Sequence, residues 1–171
     1  MPAARTFADL LFWQRARVWS RDIFHLAEKP PFARDQRLVV QINDSSESVM
    51  SNMAEGFGRG TQEEFVRFLG YALGSLDETQ SHLCAAYDRA YLSKDQYAAL
   101  FREGTAIRKL TVAFIRAMVM PRSGVSTLGK SKSWSSQTWE IYERVTGKPR
   151  PERFESTREP PKPPRNDAPP M

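Results

Sequence analysis

An all-α fold, an up-down-up-down antiparallel four-helix bundle followed by a proline-rich tail, is predicted by three features of the 171-residue chain. Apolar residues recur with a sustained spacing of three and four over four long segments, the signature of helices packed side by side. The segments are joined by short connections marked with glycine or proline, which places consecutive helices antiparallel at roughly 20°. Nine of the twelve prolines fall at or after Pro121, so the helical pattern stops there. These features divide the chain into a bundle, residues 1–121, and a basic tail, residues 122–171.

The first helix, about residues 7–28, carries Phe12, Ala16, Trp19, Ile23 and Leu26 and ends at Pro30-Pro31. The second, about 33–57, has a seam of Leu38, Ile42, Ser45, Val49, Asn52 and Gly56, which is unusually polar for a core stripe. Its end, Gly56-Phe57-Gly58-Arg59-Gly60, offers three glycines able to adopt the positive φ that closes a helix. Thr61 followed by Glu64 is a capping box opening the third helix. That helix, about 62–91, runs through Phe65, Leu69, Ala72, Leu76, Thr79, Leu83, Ala86 and Ala90. The fourth, about 94–119, presents Tyr97, Leu100, Gly104, Ile107, Thr111, Phe114 and Met118 before Pro121.

In the tail, the run Pro160-Pro161-Lys162-Pro163-Pro164 forms neither helix nor central strand, and the composition predicts a largely disordered extension. One part of it differs. Trp139, Tyr142 and Val145 recur at helical spacing near 135–146, with Trp134 just before, so a short aromatic-faced helix is expected to form on docking. Its receptor is the bundle, a neighbouring subunit or another protein.

Several separated stretches of the chain resemble one family. Phe7, Asp9-Leu10 and Trp13-Gln14-Arg15-Ala16 open the first helix; Gln41-Ile42 and Ser48-Val49-Met50-Ser51-Asn52-Met53-Ala54-Glu55-Gly56-Phe57-Gly58-Arg59 occupy the second; Glu64-Phe65, Phe68-Leu69 and Ala72-Leu73-Gly74-Ser75-Leu76 with Glu78 lie on the third. Together they resemble the four-helix-bundle proteins encoded in intervening sequences of 23S ribosomal RNA genes and their stand-alone relatives, over roughly residues 5–120. The resemblance implies a bacterial setting, a homopentameric ring and a link to ribosomal RNA. It also implies kinship with the bundle proteins that accompany reverse transcriptases of diversity-generating retroelements. Two positions depart from the family pattern. Asn43-Asp44 stand where basic residues are common, which removes positive charge, and Met50 stands where proline is common, which lets the second helix run straighter.

The formal net charge of +5 resides mostly in the tail: residues 1–121 hold 15 Lys+Arg against 14 Asp+Glu, residues 122–171 hold 10 against 6. Cys84 is the only cysteine, which excludes an intramolecular disulfide. No signal peptide and no membrane span is expected, because Arg15, Arg17 and Arg21 interrupt the first apolar helix, and a cytoplasmic protein is the expectation. Catalysis has little support. His25 with Asp22 and His82 with Glu78 are each half a metal site at best, the serines have no adjacent histidine as base, and no glycine pattern matches a nucleotide-binding loop. No metal and no cofactor is expected.

Two function classes remain. The first is an oligomeric protein binding structured RNA through Arg15, Arg17, Arg21, Arg34, Arg37, Arg59 and Arg67, with the tail adding a salt-sensitive term. Arg59, at the exposed hairpin corner beside the third helix's N-terminus, is placed to hold a phosphate, although Glu63 and Glu64 oppose it. The second is a protein-interaction scaffold or an accessory subunit of a larger partner such as a reverse transcriptase. Ser48, Asn52, Glu55 and Arg59 share one side of the second helix, where a hydrogen-bonded polar seam fixing register is the plainer reading. Gln14, Gly56, Gly58 and Gly74 complete the motif positions given structural roles. Self-association is expected because Phe7, Leu11 and Val18 on the first helix, and Phe68 and Tyr71 on the third, form second apolar stripes beyond what a monomer needs. Gly70 and Gly74 would let a further helix approach.

Overall fold

The computed structural model describes residues 4–119 and 134–150. Five helices account for most of them: α1 (Leu11–Ala27), α2 (Gln36–Gly58), α3 (Gln62–Asp88), α4 (Lys94–Val119) and α5 (Ser136–Thr146). The first four form the predicted bundle, each in contact with its neighbours around the ring in the order α1, α2, α3, α4. Cross-contacts fix antiparallel neighbours: Trp13 reaches Met50 while Ser20 reaches Ser46, and Ser48 meets Ser75 while Ser45 meets Thr79.

The ends of the helices differ from the sequence pattern for local reasons. Residues Phe7–Asp9 make a separate 3-10 turn, because the Asp9 carboxylate accepts from the backbone N–H groups of Arg5 and Thr6 at 2.8 Å and holds the chain short of α1. The Gln14 side chain donates to the Ala8 carbonyl (2.7 Å) and ties that turn to α1. A second 3-10 turn, Phe32–Arg34, precedes α2, whose first free N–H groups are capped by Asp35 accepting from Leu38. Ala90 does not extend the third heptad series: it lies exposed at φ 57, past the end of α3.

Of the three glycines at the α2/α3 corner only Gly60, at φ 74, supplies a left-handed turn. Gly56 serves close approach, since a Cβ there would lie 2.5 Å from the Phe68 Cβ. Gly58 is exposed with nothing within 4 Å of the missing Cβ. The capping box is half formed: Thr61 accepts from the Glu64 N–H at 3.2 Å, but the Glu64 carboxylate turns to Arg67.

Core positions follow the 3.5-residue series only as far as the helices stay in register with it. In α4, Leu100, Gly104, Ile107 and Thr111 are buried, after which burial passes to Ile115 and Val119 rather than Phe114 and Met118. A straight helix of 3.6 residues per turn drifts away from a heptad stripe by about 20° per repeat, which accounts for the change. In α2 the same drift buries Met53 in place of Asn52, which is half-buried.

α5 packs against α3 and α4 of its own bundle. Ser135 caps its start and Gly147, at φ 63, ends it. Trp134, Trp139, Ile141 and Tyr142 are all buried, with the Trp134 and Trp139 rings 4.6 Å apart between centroids. Of the three receptors left open by the sequence, the bundle itself holds this helix. The proline-rich run at 160–164 lies outside the described residues.

Gly70 is the contact point, because a Cβ added there would stand 2.5 Å from Ile141 Cγ2. Gly74, expected at a helix contact, has nothing within 4 Å of its missing Cβ and is exposed within one copy of the chain. Two substitutions therefore separate the glycines. Gly70→Val should displace α5, read as a red shift and loss of tryptophan fluorescence. Gly74→Ala should raise the melting temperature, since alanine is favoured over glycine in a helix by about 1 kcal/mol; a lowered value would place Gly74 at a contact between copies.

Candidate functional site

The small polar residues of α2 build a ladder that joins three helices. Ser20 of α1 pairs with Ser46 Oγ at 3.1 Å, and Ser46 donates on to the Asn43 carbonyl. On the other side Thr79 donates to Ser45 Oγ (3.0 Å) and Ser75 to Ser48 Oγ (3.1 Å). Asn52 Nδ2 donates to both the carbonyl (2.8 Å) and the hydroxyl (3.0 Å) of Ser48. Because buried hydroxyls must find partners, a shift of register would orphan several at once. Ser48 and Asn52 thus act in packing.

The seven arginines expected to contact RNA fall into two groups. Four are engaged within the chain. Arg15 makes a bidentate pair with Glu103 of α4 (2.6 Å for both bonds), and this hydrogen bonding raises the guanidinium pKa. Arg21 pairs with its neighbour Asp22 at 2.9 Å, and Arg67 with Glu64 at 2.7 Å. Arg59 pairs with Glu55 and lies 5.1 Å above the Phe68 ring, so Glu55 and the aromatic, rather than a phosphate, occupy its fork. Arg17, Arg34 and Arg37 are exposed and have no ion-pair partner among the described residues. At that end of the bundle Asp35 is committed to Arg89 and to the Tyr91 hydroxyl.

Sequence reasoning did not single out the groove between α1 and α2. It is an open depression of about 310 Å³ lined by Arg17, Ser20, Arg21, Phe24, Asn43, Glu47 and Met50. The signal that could have found it is the pairing of an exposed aromatic, Phe24, with Arg17 and Arg21 at helical spacing on the same face. α2 is continuous through Met50, whose carbonyl accepts from Trp13 Nε1–H at 3.1 Å.

The histidines are paired with single carboxylates. His82 lies 3.7 Å from Glu78, as its spacing predicts, whereas His25 faces Glu28 at 3.8 Å rather than Asp22. Among the described residues, no group of three or more His, Cys, Asp or Glu is placed to hold a metal ion. Nor is any helix among them long and apolar enough to cross a membrane.

Residues 8–113 match the family model of the 23S rRNA-intervening sequence protein. The chain belongs to that family. No curated protein matches it. The matched span covers α1 to α3 and most of α4, ending before Val119, so α5 lies outside the region that the family model describes. The motif residues Ser48, Asn52 and Gly56 sit where α2 meets α3, and Gln14 where the chain enters α1.

One carboxylate of α3 anchors the start of α5. Glu63 accepts from Ser135 N–H at 2.8 Å and from Thr138 Oγ1–H at 3.0 Å. Burial pushes its pKa up, but the hydrogen bonds from Ser135 and Thr138 and the nearby Arg67 charge outweigh it, and the net shift is downward. A carboxylate with a lowered folded-state pKa stabilises above its ordinary range and loses that contribution as pH falls through the lowered value. Docking of α5 should therefore weaken on acidification below about pH 4, seen as a change in Trp134 and Trp139 fluorescence. In Glu63→Gln that acid-dependent step should be missing.

Proposed function

We propose that this protein is a non-enzymatic, homo-oligomeric helical bundle that binds structured RNA. Membership in a family tied to 23S rRNA carries the reading, and the distribution of unpaired cations supports it. Arg17, Arg34 and Arg37 remain free for phosphates on the α1/α2 side. In the C-terminal part, residues 122–150 hold six Lys+Arg against two Asp+Glu, while residues 151–171 hold four of each. The basic character of the tail therefore belongs to the segment leading into and through α5, not to the proline-rich end. A cytoplasmic location accords with RNA as partner.

Self-association is supported by exposed apolar residues on α1. Leu11 is 55% and Val18 45% exposed, seven residues apart on one stripe. The ring of five implied by the family resemblance remains the expected assembly. Light scattering at micromolar concentration should report a mass several times the 19.6 kDa of one chain; a monomer there would contradict the assembly.

The near-neutral bundle, with four of the seven arginines tied to carboxylates, favours a second reading. In it the oligomer is a scaffold for a protein partner such as a reverse transcriptase. Electrophoretic shifts of structured RNA at two salt concentrations separate the two. Changing Arg122, Lys130 and Lys132 to glutamine should lower both affinity and salt slope, because every phosphate left without its cation takes roughly 0.7 to 0.9 off the slope, with Trp134 and Trp139 fluorescence checking that α5 stays docked. Changing Arg17, Arg34 and Arg37 should lower them further. No shift for the unaltered protein at low salt would leave the scaffold.

A further inference from the structure

The α1/α2 groove combines three features that nothing in the packing of the bundle requires. Phe24 projects a ring that is 45% exposed, and Val40, 56% exposed, stands one turn before Asn43 on the α2 side. An aromatic face held in the open at the rim of a mostly apolar cleft is a stacking platform. Arg17 lines the same groove with no partner among the described residues, while Arg21 beside it is shared with Asp22. Asn43 on the opposite wall has its Oδ1 buried without a hydrogen-bond partner. Leaving a buried amide oxygen unpaired is unfavourable. Its final torsion is soft, so the amide can turn to present oxygen and NH2 together to an occupant.

We propose that the α1/α2 groove receives one unpaired nucleotide of RNA, its base stacked on Phe24 and paired with the Asn43 amide, its phosphate held by Arg17. The inference rests on the RNA reading above and assigns it a site. The volume, about 310 Å³, is at the small end of ligand pockets, which suits one nucleotide rather than a helix or a duplex. An amide donates and accepts side by side, and an unpaired adenine or cytosine offers the matching edge, an amino donor next to a ring-nitrogen acceptor; adenine, with the larger face, stacks on Phe24 over the greater area. Glu47, which also lines the groove, repels a phosphate on its side and so orients the backbone toward Arg17. Recognition of this kind addresses loops and bulges, where bases are already unstacked.

The test compares a hairpin RNA carrying a single bulged adenine with the same hairpin fully paired, by fluorescence anisotropy on the full-length protein. The bulged RNA should bind the unaltered protein more tightly, and Phe24→Ala should reduce that preference about tenfold. Phe24 is exposed, so the variant keeps its fold, which circular dichroism checks. Asn43→Leu should act in opposite directions on two readouts: the melting temperature rises, because a buried unpaired oxygen is gone, while the preference for the bulged RNA falls. A purely structural Asn43 would leave the preference unchanged. Equal affinity for the two hairpins, or a preference unaffected by both substitutions, overturns the site while leaving RNA binding in place. Absence of binding to either hairpin at low salt overturns the RNA reading itself and the site with it.

Discussion

The close approach of α2 and α3 is the constraint on which the remaining structure depends. Gly56 allows the two backbones to meet at Phe68, and from there the Ser48–Ser75 and Ser45–Thr79 bonds fix how the helices slide against each other. Apolar seams tolerate slippage because their contacts are interchangeable, whereas paired hydroxyls do not. Extension to α1 through Ser20 and Ser46 transmits the same register to the next helix. Trp19 completes the ring on the far side, its Nε1–H donating to the Leu100 carbonyl at 2.9 Å and its indole filling the space left by Gly104.

That register decides which arginines face solvent unpaired. Once α1 and α4 are aligned by Trp19, Arg15 falls opposite Glu103 and is neutralised. Arg17, two residues on, points away from α4 into the cleft with α2. Proximity in sequence thus conceals opposite roles: Arg15 closes the bundle, while Arg17 remains available to a ligand. The paired arginines bind α1 to α4 and the turns of single helices together.

Most of the bundle was legible in the chain. Long periodic series such as residues 62–88 leave little ambiguity, since only a helix brings Phe65, Leu69, Ala72 and Leu76 to one side. The polar seam was also readable, because Ser48 and Asn52 share a face with apolar residues. What escaped depends on partners distant in sequence. The Glu55–Arg59 pair was readable from its four-residue spacing, whereas the seat of Arg59 over Phe68 and of Ile141 against Gly70 required knowing which surfaces meet. Burial of Met53 in place of Asn52 reflects accumulated helical drift, which a heptad count does not carry. Of the groove between α1 and α2 the sequence showed only the α1 wall, Arg17, Arg21 and Phe24 at helical spacing; that Asn43 and Glu47 of α2 stand opposite depends on how the two helices pack.

The two anchors of the connection between α4 and α5 lie almost on top of each other. Met118 is engaged by Gln62 at 2.5 Å and Ser135 by Glu63, adjacent residues at the start of α3. The ends of the connection are therefore pinned side by side. Loop-closure entropy rises only logarithmically with length, about 0.6 kcal/mol for each doubling, so this connection can grow or shrink at small cost while α5 keeps its seat. It is the place where the bundle can accept inserted sequence, and where variation in length among related chains would leave the architecture untouched.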